Sequence, residues 1–379
     1  MYLRQLELRD FRNYERLSLP QEAGLVVFHG PNGAGKSNLL EAICVATSGQ
    51  SPRTRATEEL VRAGCDHGFL SGAFAGREGE VSLEVGLARA GPRQIKINGV
   101  VKRWSDLIGL APVVYFSAED MAAVKGDPGA RRQLLDRDLS AVSRSYYFHL
   151  FRYRKALHQR NRLLKELRAG RGRPEELGPW DRAAARYGAR LMLERSQFIA
   201  QLAPECRAAH IQLSGGERPF VIEYRPSVAL PNEQNPAADG KEATELVEDI
   251  ASALAAALQE ERGTDIARGT TGSGPHRDDL ALLLAGRPAR VFGSQGEQRS
   301  CAVAMRLGLA AVVHRATEER PLLLLDDVLS ELDARYRAGV FAASRGAEQI
   351  IITCCDIEDI PAEVRESGAV FEVGDGCIR

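Results

Sequence analysis

The sequence predicts an α/β protein with a mixed sheet core, a phosphate-binding loop and a second, helical lobe. Three observations support this. A G-x-x-x-x-G-K-S motif stands between a short apolar strand and a helix, and four leucines run into two aspartates. Residues 128–206 contain few glycines and repeat Leu and aromatic residues every three or four positions. A hydrophobic content of 44% and a charged content of 27% over 379 residues disfavour a disordered or fibrous chain. The net charge of −1 means that any nucleic-acid role must depend on a local basic patch.

Periodicity predicts the elements in order. Strands are expected over 2–8, 25–28, 81–85, 94–100, 113–116, 219–224, 322–325, 349–353 and 369–373, and helices over 36–47, within 128–206 with a break at 170–174, over 246–258 and over 297–314. Residues 11–14 are expected to form a turn, and the acidic segment 231–245 an exposed loop. We therefore expect a nucleotide-binding lobe of residues 1–120 and 208–379 and a helical, arginine-rich lobe of residues 121–207.

The composition also indicates the cellular compartment in which the protein is expected to work. The sequence contains no apolar run of about 18 residues, so no spanning helix is expected. Its seven cysteines are scattered, and none forms a CxxC pair. These features favour a reduced, cytoplasmic setting.

The first site element is the phosphate loop. It comprises Gly30, Pro31, Asn32, Gly33, Ala34, Gly35, Lys36 and Ser37, and Asn38 follows it in the helix. Glycines allow backbone N–H groups to wrap a phosphate, and the helix N-terminus adds partial positive charge. Lys36 is expected to reach the β- and γ-phosphates of ATP and Ser37 to hold Mg²⁺. A chance glycine-rich turn is the alternative, and the strand, loop and helix context argues against it.

The second site element is the acidic end of the leucine-rich strand. Leu322–Leu325 precede Asp326 and Asp327, and ligands bind at the carboxyl ends of strands in open α/β sheets. Asp326 is expected to hold Mg²⁺, directly or through water. Asp327 is expected to orient or deprotonate the attacking water. A strand-end turn or helix cap is the alternative.

ATP-binding cassette proteins carry one further element, a Ser-Gly loop that opens a helix and contacts ATP held by another subunit. Two segments fit, Leu213–Glu217 and Phe292–Arg299. Pro219 and a strand follow the first, whereas an alanine- and leucine-rich helix follows the second. Because the loop's helix dipole must face phosphate, we choose Ser294 with Gly296 and interpret Ser214 as part of a loop entering a strand.

Together these motifs resemble the ATP-binding cassette ATPases of the SMC type, and most closely the RecF family of bacterial DNA repair proteins. The residues that carry the resemblance span nearly the whole chain: Leu6 to Tyr14, the phosphate loop, Phe116 to Asp120, Gly274 to Asp279, Gly293 to Gly296 and Leu325 to Asp333. The resemblance implies an SMC-like head without a long coiled coil. It also places Arg12, Asn13 and Asp333 near the nucleotide, with a plain turn as the alternative for Arg12 and Asn13.

The function implied by the resemblance is that of a weak, DNA-stimulated ATPase. Such a protein dimerises on ATP, binds duplex DNA near single-strand gaps, and acts with RecO and RecR to place RecA. Three departures from the usual cassette favour slow turnover. Asp327 replaces a glutamate, Thr353 stands where a strand-end histidine is usual, and Ser117 and Glu119 occupy the region of the expected glutamine.

A basic, aromatic-rich stretch lies at residues 131–173. The candidate DNA contacts are Arg152, Arg154, Lys155, Arg160 and Arg162. A basic helical face can bind phosphates without reading sequence. A solvated helix surface in an arginine-rich protein is the alternative. The interleaved aromatic residues are interpreted as core, with stacking on single strands as the alternative.

Two smaller groups of residues carry chemical side chains, and two other functions are compatible with the motifs. His276 with Arg277, Asp278 and Asp279 lacks a second ligand at metal spacing, so a structural or interface role near the nucleotide is expected. Cys354–Cys355 is interpreted as buried packing. The alternative functions are a transporter ATPase subunit, for which no coupling helix or glutamine loop is recognisable, and a nucleotide-gated clamp that does not depend on hydrolysis.

Overall fold

The structure is a computed structural model that describes residues 1–20, 24–54, 56–214, 218–230, 242–329, 337, 339–341, 346–366, 368–374 and 376–378. The strands are β1 (Tyr2–Phe11), β2 (Tyr14–Pro20), β3 (Gly24–His29), β4 (His67–Gly76), β5 (Gly79–Ala88), β6 (Gln94–Ile97), β7 (Val100–Lys102), β8 (Val113–Ser117), β9 (Phe220–Arg225), β10 (Asp279–Leu284), β11 (Arg287–Pro288), β12 (Leu322–Asp326), β13 (Gln349–Cys354), β14 (Ala369–Gly374) and β15 (Cys377–Ile378). The helices are α1 (Lys36–Ser48), α2 (Met121–Lys125), α3 (Pro128–Val142), α4 (Arg144–Arg168), α5 (Gly178–Ser214), α6 (Ala243–Glu260), α7 (Arg262–Arg268), α8 (Ala289–Phe292), α9 (Gln295–Thr317) and α10 (Ala362–Glu366).

A central sheet positions the site. Its strand order is β15-β14-β3-β13-β12-β8, and the five strands from β14 to β8 run parallel. The carboxyl ends of β3, β13 and β12 therefore lie side by side, with β13 in the middle. This order brings the phosphate loop and the two aspartates to the same edge, although about 290 residues separate them in sequence.

The central sheet divides the hydrophobic interior into two cores. Leu322 and Leu324 face one core, which also contains α1 and the antiparallel sheet β2-β1-β4-β5-β6-β7. Leu323 and Leu325 face the other core, which is formed with the helices α3 to α6 and α9 and the ribbon β11-β10-β9. Successive side chains of a strand point to opposite faces of the sheet. Because both faces of this sheet are covered by a hydrophobic core, every position of β12 before Asp326 is apolar, which explains the continuous leucine run.

Local signals explain where the long helices begin. Asp127 caps α3 ahead of Pro128, which occupies the first turn where its missing N–H is tolerated. The Ser143 side chain accepts from the Tyr146 N–H and so caps α4. The break that was predicted at 170–174 is confirmed, because it separates α4 from the turn before α5.

Several predictions about elements need correction. The strand expected over 94–100 is the hairpin β6–β7, turned by Asn98 and Gly99 at positive φ, the pairing that two-residue hairpin turns favour. Strands β2, β4 and β10 were not predicted. Ser214 ends α5 instead of standing in a loop, because the helix runs eight residues past Cys206. In segment 231–245, residues 243–245 belong to α6 and residues 231–241 lie outside the described residues.

The predicted division into two lobes stays a prediction. Helices do occupy residues 121–207, but α5 crosses the proposed boundary without interruption. The core around these helices also includes buried residues of β9, β10 and α6, such as Phe220, Leu282 and Leu254.

Candidate functional site

The phosphate loop connects β3 to α1 through a backbone that only glycine tolerates at some positions. Gly30, Gly33 and Gly35 have φ values of 144°, 84° and 115°. A side chain at Gly30 would collide with the Val373 carbonyl, and one at Gly35 would collide with Asn13 and Tyr14. The glycine positions in the motif therefore reflect both backbone conformation and close packing.

The start of α1 has the features of an anion site. Among the described residues no side chain caps the helix, and its first turn carries no acidic residue. Lys36 is only 6% exposed, and its ammonium donates to the carbonyls of Gly30 (2.7 Å) and Pro31 (2.9 Å). Uncapped N–H groups, the helix dipole and a lysine that closes the loop together suit a polyphosphate.

The predicted metal residues Ser37 and Asp326 are brought together by the sheet order. The Ser37 hydroxyl donates to Asp326 Oδ1 at 2.7 Å. Both supply oxygen, the donor that Mg²⁺ prefers, so the side chains present fit this ion next to phosphate oxygens. Among the described residues no group of three or more His, Cys, Asp or Glu forms a separate metal cluster.

Two further hydroxyls that the sequence analysis did not assign to the metal site hold the Asp326 carboxylate. Thr353 donates to Oδ1 at 2.8 Å, and Tyr115 donates to Oδ2 at 2.7 Å. Burial, followed by the charge of Asp326, raises the pKa of Tyr115, so its hydroxyl remains a donor. Tyr115 and Thr353 come from the strands on either side of β12, and no local sequence pattern marks them.

Asp327 lies just beyond the strand in the left-handed region, with a φ of 52°. Its N–H donates to the Thr353 hydroxyl at 3.0 Å and the Thr353 carbonyl at 3.2 Å. Non-glycine residues held in this conformation occur often at functional sites, where the surroundings impose the strain. Thr353 therefore positions both aspartates: it bonds the carboxylate of Asp326 and the backbone N–H of Asp327.

Cys355 departs from the expectation of buried packing. Cys354 is buried, but Cys355 is partly exposed and donates to Asn32 Oδ1 at 2.9 Å. Its sulfur also lies 3.9 Å from Lys36 Nζ and 3.7 Å from Asp327 Oδ2. Burial and the Asp327 charge raise the pKa of the Cys355 thiol. Cys355 thus joins the phosphate loop to the acidic strand end.

The β1–β2 turn packs directly on the phosphate loop. Asn13 donates to the Ala34 carbonyl at 3.0 Å and accepts from Asn38 at 2.8 Å. Arg12 forms a bidentate pair with the fully buried Glu41 of α1, at 2.7 and 2.8 Å. The turn therefore lies against the phosphate loop, and Glu41 fixes the Arg12 guanidinium. That Arg12 and Asn13 lie near a bound nucleotide stays a prediction.

Ser294 stands at the N-terminus of α9, as the signature interpretation requires. Its hydroxyl accepts from the Glu297 N–H, and its N–H donates to the Glu297 carboxylate at 2.8 Å. Burial alone would raise the pKa of Glu297, but these hydrogen bonds and Arg218 lower it. Ser294 is exposed and Gly296 lies in the first turn, whereas Ser214 opens no helix. Asp333 lies outside the described residues.

The candidate DNA contacts divide into two groups. Arg152, Arg154, Lys155 and Arg162 are exposed on α4. Arg160 as a DNA contact is wrong: it is 0% exposed and donates to Asp181 at 2.7 Å and Asp265 at 2.6 Å. A buried guanidinium that two carboxylates neutralise is not accessible to a DNA phosphate. Arg160 instead holds the helices together.

The aromatic residues among these basic residues also divide. Tyr146 and Tyr153 are buried, as the core interpretation expects. Phe148 and Phe151 are 48% and 58% exposed, so that interpretation is wrong for them.

The segment Gly274 to Asp279 is structural. Asp278 accepts from Arg195 at 2.9 Å and from the Ser227 N–H at 2.8 Å, and Asp279 forms a bidentate pair with Arg131. His276 Nδ1 lies 2.6 Å from the Tyr153 hydroxyl, and burial lowers the pKa of His276 to about 4. The motif therefore ties β10 to α3, α4 and α5.

The chain matches known proteins along its full length. A family model described as the RecF/RecN/SMC N-terminal domain matches residues 2–377. A protein named DNA replication and repair protein RecF from Lactobacillus johnsonii is 35% identical over 379 residues, covering 100% of this chain and 99% of the relative. A protein of the same name from Acidothermus cellulolyticus is 38% identical over 365 residues, covering 95% and 96%.

The chain belongs to the RecF family. Among solved structures, the recombination mediator protein RecF bound to ATPrS, described in the RecFOR pathway, matches with 29% identity and a TM-score of 0.89, covering 100% of this chain and 97% of that one. An SMC head bound to the C-terminal winged-helix domain of ScpA matches with a TM-score of 0.55 at 16% identity, covering 100% and 96%, and shows the shared head fold. None of the described helices is long and apolar enough to cross a membrane.

Proposed function

We propose that this RecF-family chain is an ATP-dependent DNA-binding protein of recombinational repair and replication that works in the cytoplasm. The proposal depends mainly on one observation: the Ser37 hydroxyl lies 2.7 Å from Asp326 Oδ1, beside a phosphate loop whose helix has no side-chain cap among the described residues. The relatives named RecF and the RecF structure solved with an ATP analogue support the same ligand.

ATP binding rests on the phosphate loop. The N–H groups of α1 and the Lys36 ammonium would bind the phosphates, and Ser37 and Asp326 would hold Mg²⁺. The ion would neutralise phosphate charge as the γ-phosphoryl group is transferred. Tyr115 and Thr353 keep the Asp326 carboxylate oriented through their hydroxyl groups.

Hydrolysis is slow in this proposal and resets the clamp. Asp327 is the proposed base for the attacking water, and Thr353 holds its backbone. The aspartate is one methylene shorter than the glutamate that is usual at this place, so it reaches less far toward the water. A positioned base typically contributes roughly 10²–10⁴-fold, and a poorly placed one contributes less.

ATP also joins two chains. Ser294 is exposed at the N-terminus of α9, the positive end of the helix dipole, and a capping box with Glu297 fixes its conformation. Each nucleotide would be held by the phosphate loop of one subunit and covered by Ser294 and Gly296 of the other. Two equivalent sites related by a two-fold axis give a closed dimer.

DNA binding is assigned to the exposed face of α4. Arg152, Arg154, Lys155 and Arg162 can contact phosphates of duplex DNA near a gap without reading its sequence. RecR is the proposed partner, with RecO and RecA loading downstream. RecF-family membership disfavours the transporter alternative.

The test is the affinity of the protein for gapped duplex DNA by fluorescence anisotropy, with ATP or ADP and Mg²⁺. Replacing Arg152, Arg154 and Lys155 by glutamate should weaken ATP-dependent binding and lower the salt slope by roughly 0.9 for each phosphate that is no longer neutralised. The control, compared per reversed charge, replaces the exposed Arg171 and Arg173, beyond the end of α4, by glutamate. An unchanged slope would move the DNA site off α4.

A nucleotide-gated clamp without essential hydrolysis shares this scaffold. Single-turnover hydrolysis with and without duplex DNA separates the two functions. DNA stimulation supports the ATPase. A rate that DNA leaves unchanged, together with ATP-dependent DNA binding, supports the clamp.

A further inference from the structure

A deep groove separates the antiparallel sheet from the helical lobe. It encloses about 730 Å³ between the Gly49–Thr54 loop, the β6–β7 hairpin with the turn after it, and helices α3 and α4. We call it the interlobe groove. Its volume lies in the range of natural ligand sites.

The groove contains cations that the rest of the protein does not neutralise. Arg93 is partly buried and donates to the Gly49 carbonyl and to Thr57 Oγ1 at 3.2 Å. Within the described part of the chain no carboxylate lies in ion-pair range of Arg93, Lys102 or Arg103. By contrast, the buried Arg195 pairs with Asp136 and Asp278. Desolvation lowers the pKa of Arg93, as expected for a guanidinium without an acidic partner.

The far wall also contains a cation. Arg154 bonds Asp136 at 2.9 Å, but the same carboxylate also pairs with Arg195 at 2.7 Å. Because Arg195 also pairs with Asp278, the two guanidinium groups of this wall are balanced by two carboxylates. The positive charge that no carboxylate of the described residues neutralises therefore lies on the opposite wall, at Arg93, Lys102 and Arg103.

Aromatic side chains lie between the cations. Phe151 lines the groove and is 58% exposed, and Trp104 packs edge-to-face on Tyr147 with ring centroids 4.2 Å apart. An exposed ring beside unpaired cations matches a ligand that carries both flat bases and phosphates. An acidic peptide would satisfy the cations but would leave the ring without a stacking partner.

The groove also continues beyond the cavity. On the hairpin rim Val100 and Val101 are 56% and 60% exposed, and on α4 the exposed Lys155 follows Arg154 of the groove wall, whereas Arg152 lies over the Phe148 ring on another surface. A long, basic surface favours a polymer over a single nucleotide. This step rests on the proposed function, since the basic wall is also the proposed duplex surface.

We propose that the interlobe groove binds an unpaired DNA strand, with phosphates at Arg93, Lys102 and Arg103 and a base stacked on Phe151. The strand entering the groove would then be the single-stranded side of a gap whose duplex lies along α4.

The first test compares two exposed phenylalanines of the same helix. Phe151 lines the groove, whereas Phe148 lies against Tyr187 and His149 on another surface. With ATP and Mg²⁺, Phe151→Ala should weaken binding of a labelled oligothymidylate by about 5- to 150-fold, the range found for one stacked base. Phe148→Ala should change it less than twofold, and duplex affinity should be unchanged in both. Equal effects of the two variants on the single strand overturn the proposal.

The second test concerns charge. Lys102→Gln with Arg103→Gln should lower the salt slope for the oligothymidylate by about 1.4, since each single-strand phosphate contact contributes roughly 0.7. The control pair Arg171→Gln with Arg173→Gln makes the same charge change outside the groove. A slope that falls equally in both pairs overturns the assignment, because it would reflect net charge alone.

Competition separates the other ligands. Thymidine monophosphate and a polyglutamate peptide are added as competitors at the same concentration of nucleotide or glutamate residues as the oligothymidylate. If either competitor displaces the oligothymidylate, the groove does not select an unpaired DNA strand and the proposal fails. If the wild type binds gapped duplex but not oligothymidylate, the proposal fails while the proposed function stands. If it binds neither DNA, the proposed function fails as well.

Discussion

Replacing Arg160 by methionine should destabilise the protein strongly. The guanidinium is fully buried and donates to Asp181, Asp265, the Thr271 hydroxyl and the Leu258 carbonyl. Asp181 retains Arg262 at 2.9 Å, but Asp265, whose side chain is 1% exposed, loses its cation. Removing one partner of a buried ion pair typically costs about 3–5 kcal/mol, so the free energy of unfolding should fall by about that amount.

The measurement is urea denaturation followed by circular dichroism, with Arg162→Met as the control. Arg162 lies two residues away on the same helix, is 63% exposed and, among the residues that the structure describes, forms an ion pair only with Glu166, at 3.5 Å. Its replacement should cost no more than about 0.5 kcal/mol. Adding Asp265→Leu to Arg160→Met should recover much of the stability, because the unpaired carboxylate is removed. If Arg160→Met costs less than about 1 kcal/mol, Arg160 is not the buried anchor argued above.

Three other predictions concern the nucleotide site and pH. Lys36→Ala should weaken ATP binding measured by calorimetry, and wild-type affinity in this variant would contradict the phosphate-loop assignment. Lys36→Arg should still bind ATP but hydrolyse it poorly, because the guanidinium misplaces the charge. Asp327→Asn should bind ATP and Mg²⁺ but slow single-turnover hydrolysis by roughly 10²-fold, the lower end of what a positioned base contributes, because the shorter side chain reaches less far; an unchanged rate would remove Asp327 as the base. His276 has a folded pKa of about 4 against about 6.5 unfolded, so its contribution is fully present above pH 6.5 and is lost as pH falls toward 4. His276→Gln should therefore reduce the loss of unfolding free energy between pH 6.5 and 4 by up to about 3 kcal/mol, and an identical pH profile in both proteins would refute this.

The elements that the sequence predicted best are contiguous ones. The phosphate loop, the leucine run and the helix after Ser294 each combine a motif with its own flanking strand or helix, so their context can be checked locally. The structure has β3, α1, β12 and α9 at these places. The roles of the individual site residues remain predictions for the variants above.

Other contacts of the site depend on the order of the strands in the sheet, which cannot be predicted from a local sequence pattern. Tyr115 and Thr353 reach Asp326 only because β8 and β13 are the neighbours of β12. Strand β13 is inserted between β3 and β12, and its register places Thr353 beside both Asp326 and Phe28. The absence of the usual histidine drew attention to Thr353, but its role became apparent only from the sheet.

The error at Arg160 could have been avoided by helical phase. The buried positions of α4 include Tyr153, Ala156, Arg160 and Leu164, which recur every three or four residues. Arg160 falls within that stripe, whereas Arg162 does not. An arginine in the apolar phase of a long amphipathic helix is better interpreted as a buried ion-pair residue than as a surface contact. The hairpin at Asn98–Gly99 was equally visible as a turn dipeptide.

The central claim is that ATP closes a dimer through the loop that begins α9. Sedimentation velocity with ATP and Mg²⁺ tests it most directly on Ser294→Arg and Ser214→Arg. Ser294→Arg should remain monomeric while binding ATP, because a long cation replaces the hydroxyl at the exposed helix N-terminus. Ser214→Arg should dimerise as the wild type does, because Ser214 ends a helix and faces no nucleotide in this account. A dimer from Ser294→Arg together with a monomer from Ser214→Arg would contradict the account.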